Sequence, residues 1–212
     1  MLFSFPLVGL VLGAITITIF LLLSSLGWYG AVISAVIYMI LYGFIHTEAI
    51  IDVVDAIYAS HSNKDAYKVI KEPTVGAMGV LYAIGLMILK ISGITYLLMH
   101  HLFFEFLIAL IISRLSLLML FKIHNFKSTF ATQLKASLSL NILIGAFLLF
   151  FVIGSILTLE FVFLLIEGLL LAFIISYGIK RKIGFVNGDV LGATLEGVEI
   201  VLFLLLALFT TL

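Results

Sequence analysis

Two sets of carboxylates stand at spacings that turn them toward one side of a helix. Glu48, Asp52 and Asp55 follow an i, i+4, i+7 pattern, which puts three like charges on one helical face. Such a face repels itself, and a hard divalent cation relieves the repulsion. Carboxylate oxygens suit Mg²⁺, which keeps coordination positions open for phosphate oxygens. A solvated helix end is the plainer reading of the same spacing. The second set is Asp189, Glu196 and Glu199. Its spacings of seven and three again define one face, shared with the small residues Gly192 and Ala193. At about 1.5 Å per residue, Glu196 falls about 10 Å and Glu199 about 15 Å along the helix from Asp189. Carboxylates that deep in an apolar helix need a polar cavity, an ion partner or a proton. The expectation is that all three line one polar cavity facing the first set.

Other polar residues bear on the same chemistry. Arg114 sits in the middle of an apolar stretch and cannot lose its proton, so it calls for a carboxylate or a phosphate. Glu167 is similarly deep. Lys90 is expected to snorkel outward, and His100, His101, Glu105 and Glu160 to be solvated helix ends. Lys71 precedes a helix start that carries Gly76 and Gly79. Small residues, free amides and a nearby Lys make an anion site, although glycines in membrane helices also serve packing. Asn187, Gly188 and Asp189 open the last helix in the same way, with Asp189 equally readable as an N-cap.

The elements that must position these groups are membrane helices. The chain has 212 residues, 64% of them hydrophobic and 10% charged, with mean hydropathy +1.37. A soluble domain of this length cannot bury so much apolar surface. The expected fold is an all-α integral membrane protein, one polytopic domain over 1–212, with about seven transmembrane helices. The expected spans are 6–26, 30–45, 75–99, 102–121, 138–159, 161–179 and 190–212. The second continues as a helix to about residue 59 and has a potential break near Gly43. A polar stretch over 61–72 ends at Pro73, a good helix-start residue. The first apolar stretch lacks a basic leader and is expected to be a retained span.

Nine of the eleven basic residues fall in three loops: Lys64, Lys68 and Lys71; Lys122, Lys127 and Lys135; Lys180, Arg181 and Lys182. These loops follow the second, fourth and sixth spans, and cytoplasmic loops collect Lys and Arg. The N-terminus is therefore expected inside and the C-terminus outside, in the cell membrane, with the acidic site facing the cytoplasm. The absence of cysteine excludes disulfide and thiolate chemistry. A net charge of zero argues against a nucleic-acid partner. A homo-oligomer is compatible with this reading.

Several segments together resemble one family. Phe5-Pro6-Leu7-Val8-Gly9 is similar to its F-P-L-V-G, and the run from His46 through Glu48 and Asp52 to Asp55 to its H-x-D-G-x-x-D-x-x-D. Lys71 through Gly79 resembles K-D-S/P-x-x-G-x-x-G, Ser113-Arg114 matches an arginine in a middle span, and Gly188 through Glu199 resembles G-D-x-x-G-A-x-x-E-x-x-E. The pattern is that of cobalamin synthase, the adenosylcobinamide-GDP ribazoletransferase family, and it covers nearly the whole chain in order. Glu48 and Glu72 stand where the family usually has Asp, Ala49 and Ala56 where it has Gly, and Thr74 where a basic residue is common. The family's F-x-T-R-I/L-P signature does not occur; the resemblance begins just after it, as in a divergent member or a chain with an earlier start.

The resemblance implies that adenosylcobinamide-GDP and α-ribazole, or its 5′-phosphate, give the joined cobalamin product and GMP. It implies Mg²⁺ held by Glu48, Asp52 and Asp55, with Asp52, Asp55 and Asp189 in catalytic roles. Substrate contacts would come from His46, Lys71, Gly76, Gly79, Arg114, Asn187, Gly188, Glu196 and Glu199. Phosphoryl transfer needs in-line positioning and neutralisation of developing charge more than covalent help, which the acidic sets and helix starts supply. A transporter would also carry intramembrane acids, but its features would not concentrate at one face. A phosphotransferase acting on CDP-activated alcohols would show D-G-x-x-A-R…G-x-x-x-D-x-x-x-D, which is not found.

Overall fold

The computed structural model describes residues 2–61 and 64–209, and among them all regular structure is helical. The helices are α1 (Phe5–Leu22), α2 (Trp28–Leu41), α3 (Ile45–His61), α4 (Ala66–Lys71), α5 (Ala77–Met99), α6 (Phe103–Ile123), α7 (Thr129–Ser137), α8 (Leu140–Leu157), α9 (Phe161–Ile183) and α10 (Gly188–Phe209). Six of them, α1, α5, α6, α8, α9 and α10, are long and apolar enough to cross a membrane. Helices α2 and α3 pass that test only as a pair, and they meet at a bend of 76°.

That bend corrects the expectation of one continuous helix from 30 to 59. The break falls at Gly43, the expected position, with Gly43 at φ +66 and Phe44 at φ +54. Glycine enters the left-handed region without strain, while a bulky residue such as Phe44 does so only when its surroundings enforce it. Of the polar stretch at 61–72, residues 62 and 63 lie outside the described residues. The rest forms α4, whose N-cap Asp65 accepts a hydrogen bond from the Tyr67 amide at 3.0 Å. The short polar helix α7 precedes the fifth span and has no counterpart among the expected elements. Residues 210–212 of the last expected span also lie outside the described residues.

Helices α6 and α10 form the centre. Their apolar windows are 78% and 72% buried, against 28% or less for the other four long helices. The peripheral helices turn residues such as Leu22, Ile156, Leu159 and Phe163 outward, the surface a bilayer covers. Helix α10 packs on α3, α5, α6 and α9, and α1 packs on α6 and α2. Helix α9 ends on Gly184 in the left-handed conformation, a common helix stop. The chain then turns into α10, where Asn187 Oδ1 accepts from the Val190 amide at 3.1 Å. Asn187, not Asp189, is thus the side chain that caps α10.

Candidate active site

Helix α3 carries its acids to the end of the bundle, level with the first turns of α5 and α10. Asp55 reaches the start of α5. Its Oδ2 accepts from the Gly76 amide at 2.6 Å and its Oδ1 from the Gly79 amide at 2.9 Å. A carboxylate there meets both free amides and the positive end of the helix dipole. A side chain at residue 79 would not fit, since its Cβ would fall 2.7 Å from the Ile51 carbonyl oxygen. The amides expected to hold a substrate anion are therefore engaged by the chain's own Asp55. Lys71 is exposed at the end of α4, with its ammonium 5.8 Å from the Tyr67 ring centre.

Asp52 lies one turn back on α3, half-buried, and Glu48 is exposed. Helix α10 delivers Asp189 to the same place. Gly192 lets the two helices close up: a Cβ there would lie 2.8 Å from Ala49 Cβ and 3.3 Å from His46 Nδ1. Asp189 Oδ2 in turn accepts from Asn187 Nδ2 at 2.6 Å. Burial, and then the nearby charges of Asp189, Glu48 and Asp55, push the Asp52 carboxyl up to about 6. None of these four acids has an ion-pair partner among the described residues. No three acidic or histidine side chains there already converge as a metal cage among the described residues.

Glu196 and Glu199 go elsewhere, which corrects the expected common cavity with Asp189. They are 1% and 0% exposed and form a closed ionic core with Lys90 of α5 and Arg114 of α6. Lys90 pairs with Glu196, and its Nζ lies 2.8 Å from Glu199 Oε2. Arg114 pairs with Glu199 and donates from Nη2 to the Tyr38 hydroxyl at 3.2 Å. Tyr42 donates to Glu196 at 2.5 Å, and Tyr38 and Ser113 donate to Glu199 at 3.0 and 3.1 Å. Two cations balance two anions, and neither carboxylate is left open to a substrate.

Lys90 thus departs from its expected outward position. It is 1% exposed and does not snorkel, because two carboxylates inside the bundle hold it more strongly than water beyond the interface. A charge count carries the missed signal: two intramembrane glutamates need two cations, and Arg114 and Lys90 are the basic residues outside the loops. Glu167 is half-buried, with one carboxylate oxygen lacking a hydrogen-bond partner.

A cavity of about 540 Å³ opens between α1 and the α2–α3 break. Phe5, Val8 and Leu12 form one wall, and Tyr42, His46 and Arg114 supply its polar groups. The His46 ring stacks on Tyr42 with centroids 5.6 Å apart.

The basic loops gather at the acidic end. The Lys127 amide donates to the Val186 carbonyl at 2.8 Å. The Lys127 ammonium lies 4.1 Å from the Tyr67 ring centre, and Tyr67 meets Phe185 edge-on. The loops after α3, α6 and α9 are thereby joined beside Asp52 and Asp189.

The chain is similar to known proteins over nearly its whole length. The family described as cobalamin-5-phosphate synthase matches residues 1–207. A protein of Brevibacillus brevis named adenosylcobinamide-GDP ribazoletransferase is 30% identical over 210 residues, covering 95% of this chain and 85% of that protein. Proteins of the same name from Chlorobium chlorochromatii and Clostridium tetani are each 29% identical, over 96% and 92% of this chain and 84% and 80% of their own. No solved structure matches the chain. The match spans both helices that bring Asp52 and Asp189 together, and the chain belongs to the cobalamin-5-phosphate synthase family.

Proposed function

We propose that this chain is an adenosylcobinamide-GDP ribazoletransferase that works at the acidic end of its bundle. A hydroxyl oxygen of the ribazole ribose bonds to the phosphorus that carries the cobinamide. The bridging P–O–P bond breaks, GMP leaves, and the hydroxyl proton passes to a carboxylate. The observation that carries this reading is the approach of Asp189 to Asp52, which assembles four acids without a basic partner.

Asp189 is the proton acceptor. Asn187 orients its carboxylate, and a base within reach of the attacking hydroxyl is what the transfer needs. Asp52 and Glu48 would hold Mg²⁺, with Asp55 contributing lone pairs that the Gly76 and Gly79 amides leave free. The donor set fits: hard oxygens and surplus negative charge, with Glu48 exposed and Asp52 half-buried. Mg²⁺ takes one or two carboxylates plus substrate phosphates rather than a complete protein cage. Bound there, the ion would neutralise charge on the pyrophosphate and on departing GMP. Lys71 and the neighbouring basic loops favour approach of an anionic nucleotide.

The same basic loops support a cytoplasmic site in the cell membrane, with the N-terminus inside and the C-terminus outside. The purified chain in detergent is expected to release GMP from adenosylcobinamide-GDP only when a ribazole acceptor and Mg²⁺ are both present. GMP release independent of acceptor would overturn the transfer reading.

A further inference from the structure

We propose that the cavity between α1 and the α2–α3 break binds the planar aromatic base of the acceptor, with His46 reading the base's free ring nitrogen. This rests on the transfer reading above and adds to it the place and chemistry of the acceptor.

The register of two helices carries the argument. On α3, Asp52, Ala49 and His46 follow one another at three-residue steps. On α10, running the opposite way, Asp189, Gly192 and Leu195 do the same. Gly192 meets both Ala49 and His46, so the two series lie side by side. Both lead from the acids to the cavity, which His46 and Leu195 line. Six residues at about 1.5 Å each place the cavity about 9 Å from the acids. That is the span of a nucleoside, so an acceptor laid over the closed Gly192 contact, not through it, would set its ribose hydroxyl at Asp189 and its base in the cavity.

The lining chemistry selects the occupant. The walls are apolar, and about 540 Å³ exceeds what one base and ribose fill. Arg114 contributes the one full charge among the lining residues, and Glu199 already neutralises it. The cavity therefore favours an uncharged base over a phosphate. Tyr42 and His46 offer stacked aromatic surface. Tyr42 is held by Glu196 and Lys90, so the closed ionic core fixes one side of the cavity. His46 has no hydrogen-bond partner among the described residues. A benzimidazole linked to ribose through one nitrogen keeps a lone pair on the other, which an imidazole N–H can meet. An acyl chain would leave that group unmet.

The test uses the full chain in detergent with adenosylcobinamide-GDP and α-ribazole. Val8 of α1 and Leu41 of α2 both line the cavity and are 52% and 44% exposed, so Val8→Trp and Leu41→Trp fill the cavity without crowding the core. Each is expected to raise the acceptor KM by at least about tenfold, with the donor KM and the melting temperature unchanged. In the wild type, replacing the acceptor's free ring nitrogen by C–H is expected to raise KM by about tenfold, one hydrogen bond's worth. In His46→Phe the two acceptors should become equivalent.

If the wild type releases GMP but both tryptophan variants keep the acceptor KM, the cavity assignment falls and the transfer reading stands. Equal rises for donor and acceptor overturn it as well. Phospholipid that co-purifies with the wild type and is displaced by Val8→Trp, at unchanged acceptor KM, would make the cavity a lipid groove. If His46→Phe still discriminates between the acceptors, His46 does not read the base. No GMP release from the wild type sinks the transfer reading and this inference together.

Discussion

Lys90 Nζ lies 2.8 Å from Glu199 Oε2 in the closed centre of the bundle, and the same ammonium pairs with Glu196. Removing one partner of a buried pair leaves an uncompensated charge and costs about 3–5 kcal/mol. Lys90→Met is expected to lower the melting temperature and yield in detergent. Adding Glu196→Gln removes the surplus negative charge and should restore most of the loss. A double variant no more stable than the single one would show that the charge balance does not hold this core.

Asp52 and Asp55 are adjacent on one face yet should fail differently. Asp52→Asn removes a carboxylate crowded by like charges, so turnover should disappear while the melting temperature holds or rises. Asp55→Asn also loses turnover, but an amide cannot accept both the Gly76 and Gly79 N–H groups. Leaving one such group unmet costs about 1–3 kcal/mol. Parallel activity and melting measurements separate the two; identical melting temperatures would deny Asp55 its hold on α5.

The pH dependence follows from Asp52, pushed up to about 6 chiefly by burial and then by Asp189, Glu48 and Asp55. A folded pKa above the unfolded value means that the fold favours the protonated form. Its contribution is fully present below the unfolded value of 3.8 and is lost as pH rises through about 6. A cation at this carboxylate offsets that loss where the group is ionised. Magnesium is therefore expected to raise the melting temperature more at about pH 7.5 than at about pH 5. Equal shifts at the two pH values would take Asp52 out of the cation site.

Gly192 sets the distance between the two acidic helices. In Gly192→Leu the Cβ alone would come 2.8 Å from Ala49 Cβ, forcing α10 away from α3 and Asp189 away from Asp52. A misplacement of about 1 Å can reduce turnover about 100-fold, and that loss is expected at unchanged helix content. Gly85→Leu is the control, because open space surrounds that position. Equal activity in the two variants would show that close packing at Gly192 does not matter.

Orientation has its own test. With Lys64→Cys in this cysteine-free chain, an impermeant thiol reagent should fail to label intact cells and should label opened ones. A tag placed after the last residue should be reachable from outside. Labelling of residue 64 in intact cells would invert the assignment.

Much of this protein is determined by its sequence alone. Long apolar stretches can only be spans in a bilayer, and the patterns from His46 to Asp55 and from Gly188 to Glu199 carry the family. Even the break at Gly43 is legible, because a residue free to take positive φ stands where the apolar stretch turns acidic. These are local properties of composition and spacing. Partner choice is not local. Whether Glu196 faces Asp52 or Lys90, whether Gly76 and Gly79 meet a phosphate or Asp55, and whether Lys90 points out or in depend on how helices distant in sequence pack. The 76° bend sends α3 across α10, and Gly192 lets them close. That packing decided that Asp189 joins the acids of α3 while Glu196 and Glu199, about two and three turns deeper, had to find their cations inside the bundle.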